Sequence, residues 1–187
     1  MRRGPGNRGE GTSIEAPGNF AAMNALSIFQ TRLDTIAQGN LKIIERVPAD
    51  KLTWKPHEKS MTLGRLGQHL AELPHWMNRI VEADHYDFVL SGSKPMEPPA
   101  SLAQIIDLYH AKYTAAKAAL AQADGIDMDL LWEMRRSGVA FTTYPRAIAM
   151  ATQLGHMVHH RGQLSVYLRL LDVPVPGMFG PSADERH

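Results

Sequence analysis

Apolar residues recur at three- and four-residue steps through most of this chain, and that period predicts helices. Leu26, Phe29, Leu33, Ile36, Ile43 and Val47 trace one stripe in a segment beginning near residue 19, the spacing of a helix with a single buried face. Asn40 interrupts the stripe, either as a satisfied core amide or as an amide turned to a polar cavity. Pro48 ends the helix, because the residue before a proline is pushed out of the helical region. Residues 48–61 then read as a long connection, from which Trp54 is expected to tuck back onto the helices.

Thr62 suits the N-cap of a second helix with Leu63, Leu66, Leu70, Leu73, Met77 and Ile80 on its apolar face. Pro74 lies inside that pattern and should kink it by removing one backbone bond. A proline-rich loop over 91–100 leads to Ser101, the cap of a third helix carrying Leu102, Ile105, Tyr109, Tyr113, Ala116 and Leu120. Residues 126–144 are mixed and read as a helical turn with an irregular excursion, a short hairpin being the alternative. Pro145 fits the first turn of a last helix that runs to about Leu171, where Pro174, Pro176 and Gly177 forbid continuation. Its inward stripe reads Ala149, Thr152, His156, Gln163 and Leu170.

No strand-like alternation competes with these patterns. Four striped helices with polar outer faces have one economical solution, an all-α antiparallel four-helix bundle. The connections are longer than in simple up-down bundles, which points to a crossover topology or to loops that build a site at one end. The first 18 residues, rich in Gly, Pro and charge, read as a disordered tail before a single domain over 19–187.

Composition narrows the function. The chain has 187 residues, 44% hydrophobic and 21% charged, with 20 Lys and Arg against 19 Asp and Glu, a net charge of +1. That balance supplies no field to steer nucleic acid or an anionic membrane. Met1-Arg2-Arg3 is followed by no apolar stretch, and no run approaches a membrane span, so the expected compartment is the cytoplasm. With no cysteine, a thiolate nucleophile and a thiolate metal site are both excluded. Any metal must sit on His, Asp or Glu.

Histidine is the unusual residue, nine in all and scattered. His69 lies on the inward face of the second helix. His156 and His160 are four apart on the last helix, one turn above each other, so two imidazoles can grip one ion from a single helix. His156 with His159 would also serve, and spacing does not choose. Glu72, one turn after His69, can orient a ligand or accept a proton, against the simpler role of an ion-paired surface residue. Gln163, three after His160, can hydrogen-bond to a ligand. Arg161 should point away from the metal axis, toward an anionic group or an inter-helix ion pair. His75, Trp76, His85 and His110 form no constellation and read as surface or packing residues. Met128, Met134, Met150 and Met157 read as gap-filling core.

Two stretches carry a further signal. Thr62, Gly64, Leu66, His69, Ala71 and Glu72 form one motif, and His156, His160, Arg161, Gly162 and Gln163 another, with Trp54-Lys55-Pro56 before them. Together they resemble the DinB-like superfamily, which includes YfiT-type proteins and small-thiol-dependent transferases, over about residues 23–185. The resemblance implies a four-helix fold, a homodimer, and a three-histidine site for one divalent metal at His69, His156 and His160; His159 then drops out as a direct ligand and either stands beside the site, as Glu72 and Gln163 do by spacing, or faces outward. Imidazole ligation suits zinc, nickel or iron best. The resemblance further implies a metal-dependent transferase that activates a small thiol for attack on an electrophile. The alternatives are a non-catalytic metal-binding stress or interaction protein, damage-inducible as the family name suggests, and a metal-dependent hydrolase. No nucleic-acid or membrane partner is expected.

Overall fold

The computed structural model describes residues 24–92 and 97–185, so the predicted tail over 1–18 lies outside the described residues. Helix α1 (Ala25–Ile44) is capped by Asn24, whose side chain accepts from Ser27 N. Its stripe is buried as the pattern predicts, from Leu33 at 1% exposure to Ile43 at 0%. The chain turns through a single 3-10 turn, Ala49–Lys51. Helix α2 (Leu63–Glu72) then starts at Thr62, whose side chain accepts from Arg65 N.

The expected second helix is two helices. Pro74 has no N–H to offer, and around it the bonds tighten to Trp76 N→Leu73 O and Met77 N→Pro74 O. Helix α3 (His75–Glu82) follows at once. The apolar face survives the break, with Leu63, Leu66, Leu70, Leu73, Met77 and Ile80 all buried. Helix α4 (Leu102–Ala121) begins at Ser101, which caps Gln104 N. Helix α5 (Arg146–Leu170) is the longest. The described helices pack as a ring: α1 against α4 and α5, and the α2–α3 pair against the same two. Helices adjacent in sequence, α1 and α2, therefore stand across the bundle from each other, as a crossover connection requires.

The all-α expectation needs correction. Strands β1 (His85–Asp87), β2 (Leu131–Arg136) and β3 (Val139–Pro145) form a small sheet in the order β1-β2-β3. Strand β1 pairs parallel with β2, and β2 antiparallel with β3 in register Trp132↔Tyr144, with an irregularity at Met134/Arg135. Ser137 and Gly138 take φ of 50° and 81°, the two positive angles of a tight hairpin turn. Only Trp132 of this hairpin is fully buried. Its ring lies edge-on to Trp76 at 6.2 Å, and Trp76 in turn meets Tyr86 at 5.1 Å, so the sheet is pinned to α3 by aromatic packing.

Asp87 locks the turn. Its carboxylate accepts from Val89 N, Leu90 N, Ser137 N and Gly138 N at 2.6–3.2 Å. Burial pushes the Asp87 pKa up, but these four donors outweigh it and hold the group at about 2. The tail after α5 also folds back: Arg169 grips Asp184, and Asp184 accepts from Val175 N at 2.8 Å. That brings Met178 and Phe179 against α1. None of the described helices is long and apolar enough to cross a membrane.

Candidate metal centre

Helix α5 does not bury the stripe its sequence suggests. Thr152, Gln163 and Leu170 are exposed, whereas Met150, Gln153, Leu154, Met157, His160, Arg161, Leu164 and Leu168 join Ala149 inside. Three of these nine buried residues are polar, so hydrophobicity alone does not reveal the buried face. The buried polar residues are the ones that matter for chemistry.

His69 from α2 meets His156 and His160 from the neighbouring α5. Each offers one ring nitrogen, and these three lie within 4.8 Å of one another. Ring centroids are separated by 5.3 Å for His69–His156, 4.6 Å for His69–His160 and 4.6 Å for His156–His160. His160 is buried and the other two half-buried, so the cluster is desolvated on one side and reachable on the other. His159 is exposed and turned away, its ring in edge contact with His160 at 4.9 Å.

Neighbours fix the ring orientations. His160 Nδ1 donates to Gln163 Oε1 at 2.7 Å, and His156 Nδ1 to Gln153 Oε1 at 3.3 Å. His69 Nδ1 lies 3.6 Å from Glu72 Oε2, too far for a hydrogen bond, and it is a buried nitrogen with no other partner. Glu72 also faces Arg65 at 3.4 Å, so it is ion-paired and beside a histidine at once. Gln163 reaches His160 although its residue is exposed. Gln153 is the contributor that the sequence reading passed over. The signal was available, since Gln153 stands three before His156 as Gln163 stands three after His160.

This donor set fits a divalent cation. With their Nδ1 protons on amide oxygens, His156 and His160 present bare Nε2 lone pairs to each other at 2.8 Å. Two lone pairs at that distance repel unless positive charge joins them. Burial first, then the neighbouring histidines, pushes the His156 pKa down to about 4, and burial lowers that of His160 against the Gln163 hydrogen bond. Both are therefore neutral at neutral pH, the form in which imidazole ligates.

The remaining histidines and methionines have structural places. His75 Nδ1 contacts Glu72 O at 2.7 Å, His110 is exposed, and Met150 and Met157 are fully buried. Trp54 is half-buried against the Tyr167 ring at 5.7 Å. Asn40 is 0% exposed, and neither polar atom of its amide has a hydrogen-bond partner.

Comparison with known proteins gives a consistent picture. A family model, that of the DinB family, matches residues 28–186. Protein YrdA of Bacillus subtilis (strain 168) is 25% identical over 150 residues, covering 80% of this chain and 84% of its own. The crystal structure of a DinB-like protein from Bacillus subtilis superposes with a TM-score of 0.63 at 16% identity, over 81% of this chain and 96% of that one. A DinB-like protein from Bacillus cereus ATCC 10987 superposes with a TM-score of 0.63 at 23% identity, over 81% and 95% of the two chains. These likenesses show the fold.

Proposed function

The chain belongs to the DinB family, and from that premise we propose that it is a metal-dependent protein whose His69, His156 and His160 hold one divalent ion and present it to a small thiol. The observation that carries this reading is the convergence of three imidazole nitrogens within 4.8 Å, with two Nε2 atoms in direct opposition. Three neutral donors fill only part of a coordination sphere, leaving positions for an exogenous ligand. A divalent ion held by these three donors would lower the pKa of a bound thiol and make the thiolate available to an electrophile.

The protein's own groups have definite tasks in this scheme. Gln153 and Gln163 keep the Nδ1 protons and aim Nε2 inward. Glu72, held by Arg65, stands beside His69 where it can take a proton arriving at Nδ1. The absence of cysteine means that the thiol comes from the substrate. Zinc, nickel and iron all suit a three-imidazole site.

The test is spectroscopic. The cobalt-substituted protein is titrated with a small thiol, then offered a chromogenic electrophile. A thiolate-to-metal charge-transfer band and loss of the electrophile are expected in the wild type, and neither in His69→Ala. A cobalt protein with no new band at saturating thiol would exclude thiol activation at this centre.

A further inference from the structure

Among the described residues, the guanidinium of Arg161 is a buried charge facing no carboxylate. Arg161 is 5% exposed, and its one hydrogen bond among the described residues runs from Nη1 to Ile36 O at 3.5 Å, the outer limit for such a bond. The fold makes room for it deliberately: a Cβ on Gly39 would stand 2.5 Å from Nη1. The returning C-terminal segment covers the other side, with the Phe179 ring centroid 5.1 Å from Cζ. A guanidinium cannot shed its proton, and a buried charge left without a counter-charge is costly.

Two more cations line the same cleft. It has a volume of about 140 Å³ between α1 and residues 177–179, and Arg32 and Lys42 stand at its rim. None of its lining residues is acidic. Among the described residues neither Arg32 nor Lys42 has an ion pair, although Arg65, Lys117, Arg135 and Arg169 each have one. The carboxylate next to the cleft, Glu185, is engaged by Gly177 N at 2.7 Å and Ser182 N at 3.1 Å. The cleft lies on the α1 side of α5, whereas His160 meets His69 on the α2 side.

We propose that this cleft is a binding site for a small oxyanion, a phosphate or carboxylate group carried by a low-molecular-weight ligand. Arg161 supplies a planar fork that matches two oxygens at once, held in place by Gly39 and Phe179. Arg32 and Lys42 close on the anion from the solvent side. The volume admits one such group.

Inorganic phosphate and acetate are titrated separately into the protein at constant ionic strength, with chloride as the balancing anion, and binding is followed by calorimetry and by the shift in Tm. Saturable binding of one or both anions is expected in the wild type, phosphate alone marking a phosphoryl ligand and acetate alone a carboxylate. Arg32→Gln/Lys42→Gln, both at exposed positions, should weaken it at least tenfold with the far-ultraviolet spectrum unchanged. His156→Ala should bind as the wild type does. The proposal is overturned if neither anion exceeds chloride, if the Arg32/Lys42 double variant binds normally, or if His156→Ala abolishes binding and so moves the anion to the histidines.

Discussion

His160 donates its Nδ1 proton to Gln163 one turn further along α5, and the same relation runs backward from His156 to Gln153. Side chains three apart on a helix face each other, so the helix that carries two of the three clustered histidines also carries the groups that orient them. Partners of this kind typically account for about 10–100-fold in metal affinity. Gln163→Ala should therefore weaken zinc binding by about that factor in a competition titration, with little change in Tm because the residue is exposed. An unchanged affinity would mean that His160 is oriented by packing alone. At this scale the sequence was informative but incomplete. Spacing put His156 and His160 on one face and left His159 as a rival, since three- and four-residue steps are both geometrically sound. The motif that resembles the DinB-like superfamily points to His160, and the facing helix brings His69 to His156 and His160 rather than to His159.

Among the elements, the hairpin shows why one part of the fold was hard to read. Leucine and isoleucine at three- and four-residue steps announce α1, α2 and α4, because each buries one face against the bundle. Strand β3 buries almost nothing: Val139, Phe141 and Tyr144 are exposed at 69%, 56% and 39%. Without a buried face there is no alternation to detect, and only the Ser137-Gly138 pair marks the turn. What locks the β2–β3 turn is one residue from outside the hairpin, Asp87 at the end of β1. The folded pKa of Asp87, about 2, lies below the ordinary value of about 3.9. Its contribution to stability is fully present above about pH 4 and is lost as the pH falls through about 2. Acid titration should show that loss in the wild type, and Asp87→Asn, which removes the charge, should flatten the profile over the same window. A variant with the wild-type acid profile would show that the four backbone donors do not depend on the carboxylate. Trp132→Ala addresses the other anchor. Truncating a fully buried tryptophan should cost about 3–5 kcal/mol in urea denaturation, and a loss well under about 1 kcal/mol would mean that the sheet is peripheral to folding.

For the molecule as a whole, the ring of helices brings α2 and α5 together while keeping α1 and α2 apart. His69 and His156, separated by almost half the chain, meet because the connections cross over rather than turn back. The bundle was legible from periodicity, and its neighbours in space were not, since helical stripes say which face is buried and not against what. The polar face of α5 divides accordingly, with histidines toward α2 and Arg161 toward α1. Elemental analysis tests the central claim most directly. The protein is reconstituted with excess zinc, passed through gel filtration, and assayed for metal per chain, alongside His69→Ala, His156→Ala, His160→Ala and a control, His57→Ala/His110→Ala, at two exposed positions. The triad geometry predicts about one zinc per chain in the wild type and the control, as an open three-ligand site retains, and nearly none in each of the three triad variants. Equal zinc in the wild type and the triad variants would contradict it.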